Sequence, residues 1–314
     1  MKLLSCFVTS KRIFACFFIA VIVSTSLGCI SGDGNITAND WNSGVERVNG
    51  SLKDGNAHKD DVNSNLLGQD YDSALDSIGL AILSYSMAIH DMGDLGDHTG
   101  GEAFLEEYLE AWEEQVKEMI NSLSYLDTII QIDMFNVGFY NISSLHPSAE
   151  AQLAQAFSYY YDGDHSASMT ALGSSRNKYG AMRELSSEML TIAQAINEDF
   201  VIDYTLGIYD LYGHAIGALD DLELALQYAG EGNMASSVQM MDSANGKYSM
   251  YVEKIDYLIS IETMHPNAFP SHGYALQELQ DAYTALKESS EDLSREYGLD
   301  MEEIENGHLE FFEK

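Results

Sequence analysis

Apolar residues return every three or four positions through most of this chain, and that spacing restricts the fold more than any other feature. Tyr71, Leu75, Ile78, Ile82, Tyr85, Ile89 and Met92 step by four and three in strict alternation. Leu105, Leu109, Trp112, Val116, Met119, Leu123, Leu126 and Ile130 do the same, as do Ile208, Tyr212, Ala215, Leu219, Leu222 and Leu226. Leu276, Leu279, Tyr283 and Leu286 repeat the rule, continuing at Leu293 and Tyr297. Such stripes line one face of a helix and are the wrong period for a strand. No comparable run alternates with period two, and three prolines in 314 residues leave long helices uninterrupted. The fold class expected is all-α: near-antiparallel helices, seven to eight in number, each stripe covering its neighbours.

Breakers divide the stripes. Gly93, Gly96, Gly100 and Gly101 separate the first two helices, His146-Pro147 opens the third, and Gly163, Gly232 and Pro266 mark later corners. This gives about seven long helices in residues 66–298 and a weaker eighth around 299–313. Upstream, 21 of the 35 residues in 31–65 are Gly, Asn, Asp or Ser, a composition that predicts a flexible tether over 29–65 reaching roughly 30–35 Å. Trp41, Val45, Val48 and Leu52 recur at helical steps within it, so a short helix docked on the main domain is the alternative.

The N-terminus carries Lys2, Lys11 and Arg12, an unbroken apolar run over 13–23, and then Ser24, Thr25, Ser26, Leu27, Gly28 and Cys29. Eleven apolar residues are short for a spanning helix, and basic residues before with small residues after predict a signal peptide over 1–28. The stretch Leu27-Gly28-Cys29-Ile30 resembles the lipobox of exported lipoproteins, which implies lipidation of Cys29 and anchorage on the extracytoplasmic face of the cell membrane. Cys6 and Cys16 fall inside the leader, so Cys29 would be the lone mature cysteine, without an intrachain disulfide partner. Cleavage elsewhere, or retention as an uncleaved anchor, stays open. The sequons at Asn35, Asn49 and Asn141 are candidate glycosylation positions on that side.

Three helices begin alike. Gly163-Asp164 leads to Lys178-Tyr179, Gly232-Asn233 leads at the same distance to Lys247-Tyr248, and Asp70-Tyr71 leads to Ser84-Tyr85. The registers between copies are 69 and 94 residues, which predicts three diverged copies of one helix, each preceded by a glycine turn. The aromatic helix end Phe157-Ser158-Tyr159-Tyr160-Tyr161, its Asp162-Gly163-Asp164 turn, and Leu145-His146-Pro147 and Met264-His265-Pro266 resemble tetratricopeptide-type helical hairpins. The resemblance implies a protein-binding or scaffold role. The repeat here is longer than that family's, with helices of roughly 30 residues, so a regular solenoid and a closed bundle both remain.

Chemistry is sparse. Residues 91–102 place Gly96 at position 6 and Glu102 at position 12 of a helix-flanked calcium loop, with Asp94 and Asp97 as irregular ligands. Positions 3 and 5 are Gly93 and Leu95, which offer no side-chain oxygen, so a helix connection is the competing reading. Glu305 and His308 have the spacing of a di-iron half-motif without its partner motif. Asp210 with His214 and His90 with Asp94 are spaced as surface pairs one helical turn apart. Arg176 and Asn245 fall at corresponding positions on an apolar stripe, where a polar group needs a partner. Tyr159, Tyr160 and Tyr161 point in three directions and read as core or interface packing. No nucleophile elbow, phosphate loop or paired-cysteine motif is present, so catalytic residues, cofactors and metal ligands are assigned to none.

Fifty acidic against fifteen basic residues give a formal charge of −35, which excludes the counter-charged surface that nucleic-acid binding requires. The expected function is a non-enzymatic, membrane-anchored lipoprotein that binds a protein partner or scaffolds the envelope. The alternative is an extracytoplasmic receptor for a small ligand or divalent cations.

Overall fold

The computed structural model describes residues 38–99, 102–266 and 273–301, together with Ile304 and Leu309. The described chain is all-α, with no strand among the described residues. Its helices are α1 (Ala38–Leu67), α2 (Tyr71–Gly96), α3 (Ala103–Tyr161), α4 (His165–Ile196), α5 (Asp199–Gly230), α6 (Met234–Met264) and α7 (Gly273–Tyr297). The chain divides into two compact units. The first holds residues up to Ile130 and from Ala275 onward, and the second runs from Gln131 to Tyr274, so α3 contributes to both.

Three hairpins share one turn. The amides of Gln69, Gly163 and Gly232 donate to the carbonyls of Leu66, Tyr160 and Ala229, each at 3.1 Å. The amides of Asp70, Asp164 and Asn233 reach back to Asn65, Tyr159 and Tyr228 at 2.9, 2.9 and 2.8 Å. This is the paired-bond stop that a left-handed residue makes at a helix C-terminus, and the central residue has φ +58°, +79° and +77° in turn. Asp70, Asp164 and Asn233 then serve as N-caps, accepting from the amides of Ser73, Ala167 and Ser236 at 3.2, 2.9 and 3.3 Å. With one residue ending one helix and starting the next, the second helix must fold back along the first.

The copies agree far from the turn as well. Gly44, Gly138 and Gly207 lie 25 residues before the turn residue, and Leu95, Met189 and Leu258 lie 26 after it. A methyl group on these glycines would stand 2.6, 2.7 and 2.7 Å from Leu95 Cδ1, Met189 Cγ and Leu258 Cδ2. The two helices of each hairpin therefore cross in close contact at the same place. Ser168 Oγ donates to Ala156 O and Ser237 Oγ to Ala225 O, both at 2.8 Å, one register apart. The registers of 69 and 94 residues read from the turns hold for whole hairpins.

In the first unit α1 and α2 pack along Trp41, Val45, Val48, Leu52 and Val62 against Ile78, Ala81, Tyr85, Ala88 and Met92, all buried. The buried amide of Gln115 on α3 is met by two hydroxyls of α7. Its Nε2 donates to Ser290 Oγ at 2.8 Å and its Oε1 accepts from Ser289 Oγ at 2.5 Å. In the second unit the core runs through Phe135, Ile142, Met182, Met189, Tyr204, Leu211 and Leu258.

Four sequence expectations change here. The flexible tether gives way, over residues 38–65, to α1, because its heptad face is filled by Gly55 as well as large residues, and burial on α2 outweighs the poor helix propensity of Gly, Asn and Asp. Residues 29–37 lie outside the described ones. Gly93 does not end α2, which runs on to Gly96, since buried Met92 and Leu95 hold its last turns against the core. His146-Pro147 does not open a helix: Pro147 is inside α3, where Ile142 and Ala149 are buried on either side and Ser175 Oγ donates to the Ala149 carbonyl at 2.8 Å. Finally, residues 66–314 are not one domain but parts of the two units. The helix expected at 299–313 falls largely outside the described residues.

Candidate interaction surface

Each hairpin's second helix can bury two faces. One packs on its own first helix; the other is left for whatever follows. On α4 the second face is closed by α5. Arg176 forms a hydrogen-bonded ion pair with Asp220, and that bond raises the Arg176 guanidinium above its usual value. The Arg183 guanidinium lies over the Tyr209 ring, 4.2 Å from its centre. Between the two cations Tyr179 meets Tyr212 at 6.0 Å. His146 of α3 approaches both rings at 6.0 and 6.3 Å and places Nε2 3.2 Å from Glu150. Burial is the chief reason the Tyr179 and Tyr212 phenols sit well above their ordinary value, so both stay neutral. Tyr251 is pushed up to about 12, again chiefly by burial and then by the Glu150 charge.

The α5–α6 contact is also braced by cations spaced seven residues apart. Lys247 Nζ is 2.7 Å from Asp221 Oδ2 and donates to the Gly217 carbonyl at 3.2 Å, and Lys254 Nζ is 3.2 Å from Asp210 Oδ2. Ser243 Oγ adds a 2.6 Å bond to the Asp221 carboxylate, whose side chain is 12% exposed. Together the Lys247 and Ser243 bonds hold Asp221 below the usual carboxylate range. These contacts use the first face of α6, where Ser237, Ala244, Tyr251 and Leu258 are buried.

The second face of α6 is bare. At the three equivalent positions α4 places Leu172, Tyr179 and Ser186, exposed by 1%, 5% and 0%; on α2 they are Ile78, Tyr85 and Met92, buried toward α1, where the Tyr85 hydroxyl donates to Asn56 Oδ1 at 2.6 Å. On α6 these positions are Met241, Tyr248 and Ile255, of which Met241 is 38% and Tyr248 58% exposed and Ile255 is half-buried. The stripe continues through exposed Met234, Val238, Val252 and Ile259. Arg176 and Arg183, which bind α5, are replaced at the corresponding positions by Asn245 and Val252. The α6 face thus keeps the shape of a packing face and has lost its charges.

The residues singled out in the sequence are dispersed. Cys29, Asn35, Glu305 and His308 lie outside the described residues. Asn49 sits on α1, and its amide grips the Leu309 backbone: Nδ2 donates to the Leu309 carbonyl at 3.0 Å and Oδ1 accepts from the Leu309 amide at 2.8 Å. Asn141 is exposed on α3. Asp91 is helical and accepts from Ser51 Oγ at 3.1 Å, with Arg47 3.9 Å away, so the first half of the 91–102 segment does not form a cation-wrapping loop. His90 and Asp94 form a turn-to-turn pair at 4.0 Å, whereas Asp210 pairs with Lys254. Arg176 and Asn245 are exposed rather than buried: Arg176 reaches Asp220 at the edge of the α4–α5 contact, and Asn245 lies on a face of α6 that no helix of its unit covers. Tyr159 and Tyr161 are exposed at the end of α3, outside the core, and Tyr160 packs edge-on to His165 at 5.4 Å.

No group of three His, Cys, Asp or Glu side chains converges as a metal site among the described residues, and none of the described helices is long and apolar enough to cross a membrane. Sequence reasoning missed the α6 face because its heptad stripe looks like every other; aligning the three copies shows the cations in α4 alone, with Ile82 and Ile89 in α2 and Asn245 and Val252 in α6, so only burial separates the last two. Comparison of the chain with protein-family models, with curated proteins and with solved structures found no match.

Proposed function

We propose that this chain is an exported, lipid-anchored helical-repeat module that works by binding another polypeptide rather than by catalysis. The observation that carries the reading is the unequal treatment of equivalent faces: that of α4 is covered by α5, and α6 presents the same stripe without a cover in its unit. Apolar side chains in a contiguous row are what a protein-binding surface offers to a helix. The three hairpins with one repeated turn are similar in design to tetratricopeptide-type repeats, built with longer helices, and agree with that role. Lipidation at Cys29 supplies the anchor in this reading.

Two measurements test it. A photo-crosslinking residue at Val252 in intact cells should give discrete adducts identifiable by mass spectrometry, whereas the same residue at exposed Gly50 should not; equal, diffuse labelling at both would count against the reading. Cys29→Ala should move the chain out of the membrane fraction, and unchanged partitioning would remove the lipid anchor.

A further inference from the structure

Resting on that reading, we infer that the occupant of the α6 face is a second copy of this chain, paired with it antiparallel across a two-fold axis between Asn245 and Tyr248. The stripe is self-complementary about that point. Antiparallel pairing sets Met241 opposite Val252 of the second copy, Val238 opposite Ile255, Met234 opposite Ile259, and Asn245 opposite Tyr248. Every apolar residue meets an apolar one, and the one polar position meets a phenol that can share a hydrogen bond with its amide.

Charge selects the same occupant. The chain carries −35 overall, so most approaches of two copies are repulsive. On α6 the acidic residues are Asp242, Glu253, Asp256 and Glu262, and all four lie off the stripe. In the pairing register none of them lies level with another acidic residue of α6: Asp242, Glu253 and Asp256 fall level with Tyr251, Met240 and Ser237, of which Tyr251 and Ser237 are buried on the face toward α5, and Glu262 with Glu231, which precedes α6. Glu262 opposite Glu231 is the one like-charge match, at the very end of the seam, and Glu262 is already bonded by Tyr204. A basic partner helix would find no carboxylate row here, and an α5-like acidic helix would find neither of the cations that α4 gives it.

The area suits a reversible dimer. From Met234 to Ile259 the stripe runs about 38 Å at 1.5 Å per residue, and a helix is about 10–12 Å across. Pairing two would bury on the order of 800–1,000 Å2, below the roughly 1,200 Å2 of stable interfaces and in the range of weak, reversible ones.

Sedimentation velocity of the full chain in mild detergent, from about 1 to 100 µM, tests the inference. The polypeptide mass should rise from one to two copies over that range, with the dimer favoured by added salt, which screens the remaining charge. Tyr248→Glu and Val252→Glu should each stay at one copy with unchanged helicity and melting, while Tyr257→Glu, off the stripe, should still dimerise. A mass of one copy throughout, or dimers that survive both stripe substitutions, overturns the pairing. If the chain stays monomeric while the Val252 photo-crosslinker captures a different protein, the binding reading stands and the second copy is replaced as occupant; if neither occurs, both fail.

Discussion

Glycines at helix crossings carry more information than their size suggests. A methyl on Gly55 would stand 2.5 Å from Tyr85 Cε1, inside the α1–α2 seam, whereas at Gly50 nothing lies within 4 Å. Gly55→Ala should therefore destabilise by about 1–3 kcal/mol despite its better helix propensity, and Gly50→Ala should stabilise by about 0.5–1 kcal/mol. Urea unfolding of the two variants, with opposite shifts in midpoint, checks this. The same scale holds the one carboxylate, among the described residues, that is depressed. Asp221 is held below its ordinary value by Lys247 and Ser243, so its contribution is present above the unfolded carboxylate pKa of about 3.9 and is lost as pH falls through the lower folded value. Asp221→Asn should flatten that part of the acid limb in a urea-midpoint series between about pH 2 and 5, and an unchanged profile would show that the pair contributes nothing.

Among the elements, the hairpin turn is the unit that repeats. Its N-cap is Asp164 in one copy and Asn233 in another, and replacing either by Ala should lower stability by about 0.5–2 kcal/mol. Gly163→Ala and Gly232→Ala should also destabilise, since both glycines have positive φ, but Gln69 shows that the first turn tolerates a side chain there. Swapping Gln69 to Gly should thus raise stability slightly, by up to about 1 kcal/mol, as read by thermal melting. The buried stripe of α2 teaches a further point about elements. Of the stripe read from the sequence, the structure buries Leu75, Ile78, Tyr85 and Met92, together with Ala74, Ala81 and Ala88, and leaves Tyr71, Ile82 and Ile89 half-buried. Alanine at the seam lets α1 come close enough for Gly44 and Gly55 to touch Leu95 and Tyr85. Tyr71, Ile82 and Ile89 then stand at its edges.

For the molecule as a whole, charge and burial act in opposite directions. A net −35 destabilises the compact state through self-repulsion, and salt screens it. The melting temperature should climb between about 10 mM and 1 M sodium chloride; a fall would indicate that the exposed ion pairs matter more than the net charge. At high pH the buried phenols act together. Tyr85, Tyr179, Tyr204 and Tyr212 all have raised values, in each case chiefly through burial. Raised folded values give stability that is complete below the unfolded phenol value of about 10 and drains away as pH climbs toward the folded ones. Absorbance at 295 nm should show these tyrosines ionising together with loss of helicity rather than before it.

The sequence by itself determined the helices, the three turns and the 69- and 94-residue registers, because a 3.6-residue period, a positive-φ residue and an N-cap are local properties of the chain. It did not determine that the segment beginning at Ala38 is a helix, that α3 runs through Pro147, or that the chain forms two units. Those outcomes rest on burial against residues distant in sequence, which supplies what weak propensity withholds. Nor could the period separate the covered face of α4 from the bare face of α6. A stripe records that a helix has an apolar side, and only the packing of one hairpin on the next decides which side finds a neighbour.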